Sequence, residues 1–178
     1  MHYYSKIFFF KEQLRRVTKN ITTKMNGLDK IDMAILDMLQ QNAHLTIKEI
    51  AAAVNISLTP VHERIKKLEN EGIIEKYVTL VNKKKLGKSL IVFCNITLNR
   101  QSSDDFQTFN EAISLLPEVV ESSVVSGAFD YILKIIVADM DAYYHFHQNK
   151  LANIKSVAQV HSFFVMNEVK YLTAIPLN

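Results

Sequence analysis

Between Thr46 and Leu68 the chain leaves room for two short helices around one tight turn and for little else. Thr46 is followed three residues later by Glu49, so each side chain can satisfy an orphan amide at a helix start. Ile47, Ile50, Ala51 and Val54 then recur on one helical face. Asn55 stands where that helix must stop, and Asn tolerates the left-handed backbone such a turn uses. Ser57 or Thr59 can cap a second helix, in which Pro60 is admissible because the first turn loses no amide partner. Val61, Ile65 and Leu68 point inward from that helix, and Thr59, His62, Glu63, Lys66 and Lys67 line its opposite face.

A braced first helix and a second helix with a polar, partly basic face meet the requirements of a helix-turn-helix. The plainer alternative is a helical hairpin with a solvated face on which Glu63 pairs with Lys67. The flanking sequence decides between them. Upstream, Leu28, Ile31, Ile35 and Met38 or Leu39 keep helical spacing, with Asp29 and Asp32 in the first turn. Downstream, Gly72 is the left-handed stop expected after a helix, and Ile74, Tyr77, Thr79, Leu80 and Val81 are β-prone enough to form a small wing. Residues 28–81 therefore read as a winged helix-turn-helix whose small core leans on a neighbour for stability.

The rest of the 178-residue chain divides by charge. Residues 1–27 carry six Lys/Arg against one acid, residues 28–89 ten against eight, and residues 90–178 five against nine. A basic front and an acidic rear suit a molecule that approaches a polyanion with one end. Three readings of residues 1–27 are open: a true start at Met25, which is preferred, a disordered basic arm that adds phosphate contacts, or a helix docked on a partner. The single cysteine, Cys94, excludes an internal disulfide and fits a reducing compartment. No apolar run approaches the roughly 18 residues of a membrane span.

Residues 82–89, with Lys83, Lys84, Lys85, Gly87 and Lys88, form a basic, polar linker. Beyond it Leu90–Leu98 reads as a strand, Asp104–Leu116 as a helix, and Val119–Val125 and Asp130–Ala138 as strands around the turn Ser126-Gly127-Ala128-Phe129. Met140–Leu151 is a second helix, and Val157–Met166 and Val169–Ile175 are expected closing strands. The order over residues 90–178 is βαββαβ with an extra strand, a ferredoxin-like arrangement, and the whole chain is α+β.

Leu28-Asp-Lys-Ile-Asp-x-x-Ile-Leu36, the Thr46–Leu68 pair, Leu68-Glu-x-x-Gly-Ile-Ile-x-x-Tyr77 and Lys85-Leu-Gly87 together resemble the Lrp/AsnC family of transcriptional regulators. Gly127-Ala-Phe-Asp-Tyr131 and Phe164-Val-Met-x-x-Val-Lys170 are similar to its carboxy-terminal signatures. The resemblance implies a cytoplasmic regulator that binds double-stranded DNA as a homodimer or larger homo-oligomer. It also implies an ACT-like second domain that pairs subunits and binds an effector amino acid between them. On this reading Ser57, Thr59, Pro60, His62, Glu63, Arg64, Lys66 and Lys67 form the DNA-binding set. Thr59, His62, Glu63 and Lys66 are placed near base edges, whereas Ser57, Arg64 and Lys67 meet phosphates or pack across the domain. Ser126, Gly127, Ala128 and Asp130 are the effector candidates. Ala128 departs from the acid common at that position in the family, and an Ala accepts no hydrogen bond from a ligand's ammonium group. Asp130 can equally be an Asx-type turn residue.

Catalytic and metal chemistry finds no foothold in this pattern. The four glycines stand singly, so no phosphate-cradling loop exists, and no Gly-x-Ser-x-Gly elbow occurs. His145 and His147 lie two apart on an expected helix and diverge, unlike metal ligands at i,i+4. No enzymatic activity, metal or cofactor is expected. Two other functions fit the same layout: a nucleoid-organising protein with little sequence choice, or an amino-acid sensor that works through protein partners.

Overall fold

The computed structural model describes residues 27–177, so the three readings of the first 24 or so residues lie outside the described residues. The described chain forms two compact units. One is Val81–Val169, and the other joins residues 27–80 to residues 170–177.

The helical unit contains α1 (Lys30–Gln41), α2 (Ile47–Val54) and α3 (Leu58–Asn70). Asp29 and Asp32 form a reciprocal capping box at the start of α1, and Thr46 and Glu49 do the same for α2. Asn55 ends α2 at φ 56°, the left-handed stop its position demands. Gly72, at φ 67°, lets the Ile73 amide turn back onto the Leu68 carbonyl at 2.9 Å and closes α3. Ile35, Leu36, Ile50, Ala51, Val61 and Leu68 make the buried core.

Two sequence expectations change here. Residues 73–81 form no strand: Val78, Leu80 and Val81 are exposed, and among the described residues no neighbouring strand pairs with this stretch. Nor is Val169–Ile175 a closing strand. The tail instead belongs to the helical unit, where Gln40 satisfies both backbone groups of Ile175. Its Oε1 accepts from the Ile175 amide at 2.7 Å, and its Nε2 donates to the Ile175 carbonyl at 3.1 Å. Leu177 packs against the helical core beyond them. A side chain on α1 thus supplies the hydrogen bonds that a sheet edge would have supplied.

The sheet unit runs β1 (Leu90–Leu98), α4 (Ser103–Ser114), β2 (Val119–Val124), β3 (Tyr131–Val137), α5 (Met140–Asn149), a 3₁₀ turn (Leu151–Asn153) and β4 (Val157–Phe164). The strands lie in the order β2-β3-β1-β4, with antiparallel neighbours throughout. This is the ferredoxin-like order expected for βαββαβ. Alternation sends Val92, Cys94, Ile96 and Leu98 of β1, and Tyr131, Leu133, Ile135 and Val137 of β3, into one core with Phe109, Ile113, Tyr143 and Phe146 of the helices. The opposite face carries the cross-strand row Glu121, Lys134, Phe93 and Phe163, then the row Ser123, Ile132, Asn95 and His161. Phe93, Ile132 and Phe163 on it are exposed, and Lys134 pairs with Glu121 at 2.8 Å. In the linker, Lys83 is held by Glu168 at 2.5 Å.

Candidate nucleic-acid interface

The helix-turn-helix geometry follows from its caps. The left-handed residue Asn55 reverses the chain after α2, and Ser57 enters α3 in extended backbone at φ −71°, ψ 164°. Although Ser57 occupies the N-cap position, its hydroxyl makes no capping hydrogen bond. The first-turn amides of α3 therefore keep their positive end open to an outside acceptor.

Along α3, Val61 and Leu68 are buried, and Ser57, Thr59, His62, Glu63, Lys66 and Lys67 are exposed. Pro60 is half-buried in the first turn. No ion pair joins Glu63 to Lys67 among the described residues, so both groups face outward. Thr59, His62, Glu63, Lys66 and Lys67 share one exposed helical face, as their spacing predicts, whereas Ser57 stands at the N-cap ahead of it.

Arg64 differs from its neighbours. Its Nη1 donates to Asp29 Oδ2 at 2.6 Å and to Asp32 Oδ1 at 2.6 Å. Asp32 is 3% exposed, so this ion pair ties α3 to the capped start of α1 at the margin of the core. Asp29 has its carboxyl held below the usual range, chiefly by the hydrogen bond from the Asp32 amide and next by Arg64. The Arg64 guanidinium is pushed above its ordinary value by Asp32 and Asp29. Of the two roles left open for Arg64, packing across the domain is the one this geometry supports. Sequence reasoning assigned Asp29 and Asp32 to the helix dipole alone and missed them as its anchors. Their i,i+3 placement opposite the only arginine of α3 was the available signal.

The effector candidates divide in the same way. Ser126, Gly127 and Ala128 are exposed in the β2–β3 turn, where Gly127 takes φ 141°. Asp130 is 3% exposed and accepts from the Leu98 amide at 2.9 Å and from Gln101 Nε2 at 2.9 Å. Its carboxylate locks the turn onto the end of β1. Gln101 and Gln40 are structural partners that no periodicity announces. Among the described residues no cluster of His, Cys, Asp or Glu could hold a metal ion, and no helix is long and apolar enough to cross a membrane.

A helix-turn-helix with an open polar recognition face, followed by a four-stranded ferredoxin-like sheet, defines a DNA-binding regulator with a separate second domain. Residues 28–75 match the winged helix-turn-helix DNA-binding family, and residues 91–175 match the Lrp/AsnC ligand binding domain. The chain belongs to the Lrp/AsnC family of transcriptional regulators. It is 42% identical over 143 residues to the leucine-responsive regulatory proteins of Klebsiella pneumoniae and Escherichia coli K12, covering 80% of this chain and 87% of each relative. A transcriptional regulator from Neisseria meningitidis, solved as a complex with L-Met, superposes with a TM-score of 0.82 at 34% identity, covering 85% of this chain and 97% of that one. An AsnC family regulator from Agrobacterium tumefaciens gives 0.81 at 36% identity, covering 84% and 97%. These homologues are transcriptional regulators, which are not enzymes.

Proposed function

We propose that this regulator reads DNA as a homodimer or larger assembly in the cytoplasm, with α3 of each copy in a major groove. Thr59, His62, Glu63 and Lys66 face base edges, Ser57 and Lys67 meet phosphates, Pro60 fixes the entry of the helix, and Arg64 braces α3 from behind. The observation that supports this best is the contrast within α3. Arg64 is consumed by Asp29 and Asp32, while the two lysines, His62 and Thr59 are left exposed. One such helix reads only a few base pairs, so specificity needs two copies on half-sites about 34–36 Å apart or a multiple of that. The open sheet face bearing Phe93, Ile132 and Phe163 is the surface we assign to subunit pairing. A small amino acid bound between the sheet domains modulates the assembly. Ser126, Gly127 and Ala128 lie within its reach, and Asp130 shapes the turn from beneath. On this reading residues 28–81 bind DNA, residues 82–89 link the domains and the domain from residue 90 assembles and senses, while the tail 170–177 groups with the helical unit.

DNA footprinting with and without an amino-acid mixture tests both halves. A discrete protected site whose extent or affinity changes with the mixture is the expected result. Protection without sequence preference refutes base reading by α3, and indifference to all twenty amino acids refutes the effector. Lys66→Ala with Lys67→Ala is expected to weaken binding to every sequence and to flatten its salt dependence, by about 1 in the slope for the Lys67 phosphate contact. Changes at Thr59 or His62 are expected to shift sequence preference instead.

A further inference from the structure

The first helical residue of α3 is aliphatic, and the domain does not cover it: Leu58 is 52% exposed. By spacing alone it would belong with Val61, Ile65 and Leu68 on the inner row. Those three pack in the helical core, and Leu58 does not. It lies one turn ahead of His62 and two ahead of Lys66, at the head of the stripe they form. Single exposed leucines are common on protein surfaces and carry no meaning by themselves. The position of this one does carry meaning, because the N-terminal residues of a recognition helix are those that reach base edges. Thymine is the base that offers a methyl group in the major groove, which an aliphatic side chain can cover. Leu58 has no donor, acceptor or charge with which to bind anything else there.

We propose that Leu58 is a specificity-determining residue that packs on a thymine methyl in each half-site. This rests on the reading that α3 enters the major groove. The contact expels water from apolar surface on both sides and involves no counterion, so it adds sequence preference without adding salt dependence.

The test uses the full chain and a duplex recovered from a random pool by binding-site selection. Each thymine is replaced in turn by uracil, which deletes one methyl and leaves every hydrogen-bonding group. The expected result is one position per half-site at which uracil weakens binding by the wild-type protein about four-fold, the worth of one buried carbon. Leu58→Ala should bind the thymine and uracil duplexes alike, with an unchanged salt slope. Leu58→Met, which keeps an apolar chain of similar length, should retain the discrimination. A scan in which no methyl is felt by the wild type, or in which Leu58→Ala still feels the same one, overturns the proposal. So does a selection that returns no enriched motif, although DNA binding itself then stands. Absence of any binding to duplex DNA at low salt would instead remove the groove reading beneath it.

Discussion

The two units of the chain hold themselves together by different means. In the sheet unit thirteen buried residues, drawn from two strands, two helices and the 3₁₀ turn, form one continuous core. In the helical unit six buried residues do that work among the described ones. What the smaller unit lacks in apolar area it replaces by discrete polar ties: two capping boxes, the Arg64 clasp and the Gln40 hold on the tail. The contrast follows from what each unit must present. A recognition helix keeps half its circumference in water to meet DNA, so its domain can spend only the other half on a core. A sheet with helices on one face buries a full layer and still leaves a second face for a partner.

Equivalent cavities in the two cores test that contrast most severely. Leu68→Ala and Leu133→Ala each truncate a side chain that is fully buried, at a cost of about 2–5 kcal/mol. In the helical unit that sum rivals the total stability of a small domain. Leu68→Ala is therefore expected to abolish DNA binding while the calorimetric transition of the sheet unit persists. Leu133→Ala should lower only the sheet transition. A single transition that moves as one in both variants would show that the units do not unfold separately, and the comparison would fail.

Arg64→Ala probes the polar ties next. It strands the buried Asp32 without its cation, at a cost of about 1–3 kcal/mol given that Arg64 itself is partly exposed. Melting of the helical unit should fall, and the salt slope of DNA binding should stay where it was. A slope reduced by about 1 would make Arg64 a phosphate contact instead. Arg64→Lys should rescue only in part: a single nitrogen, Nη1, meets both carboxylates, as an ammonium could, but the lysine stem is shorter and brings its charge less far.

Much of this is legible in the sequence, and what is not has a common cause. Thr46, Glu49, Asn55 and Gly72 announced the helix ends because caps and left-handed stops are local chemistry. The β-branched and aromatic run from Leu90 to Leu98 announced its strand, and Gly127 its turn, for the same reason. The tail escapes the sequence because Val169, Tyr171 and Leu172 have strand-like composition, while the partner that holds the segment, at Ile175, is Gln40, more than a hundred residues away. Arg64 and Asp130 hid likewise. The sequence shows that each carries a charge, but only the fold shows that Asp29 with Asp32, and Leu98 with Gln101, take it up. Leu58 is the reverse case: its spacing says core, and its place ahead of the first buried turn leaves it in solvent.

The tail gives a weaker perturbation of the same unit. Ending the chain after Lys170 removes Leu177 from the edge of the core together with both Gln40 hydrogen bonds. A loss of about 1–2 kcal/mol confined to the helical transition is expected. Gln40→Ala should give roughly half of that or less. If truncation lowers the sheet transition instead, the tail is a strand of the second unit after all.

The smallest effect separates the units by pH. Asp29 is held below its ordinary value of 3.8, first by the Asp32 amide and then by Arg64, and Glu49 is lowered first by the Thr46 amide and then by the Thr46 hydroxyl. A carboxylate whose folded value lies below its unfolded one contributes stability that is fully present above the unfolded value. That contribution is lost as pH falls through the folded value. Both capping boxes should therefore weaken below about pH 4, where the unfolded chain begins to bind protons that the folded unit refuses. In the sheet unit Glu118 is lowered as well: burial, the largest single influence, would raise it, but the Lys150 hydrogen bond, a backbone amide and the charges of Lys150 and Lys88 together outweigh it. One tie at the margin of a large core should leave its transition less sensitive to acid than two caps on a small one. Melting curves between pH 6 and pH 3 should show the helical transition falling faster, with Asp29→Asn and Glu49→Gln each flattening that decline. Equal slopes for the two units, or a decline unaffected by both substitutions, would mean that the caps are too solvated to report on the stability of the helices they close.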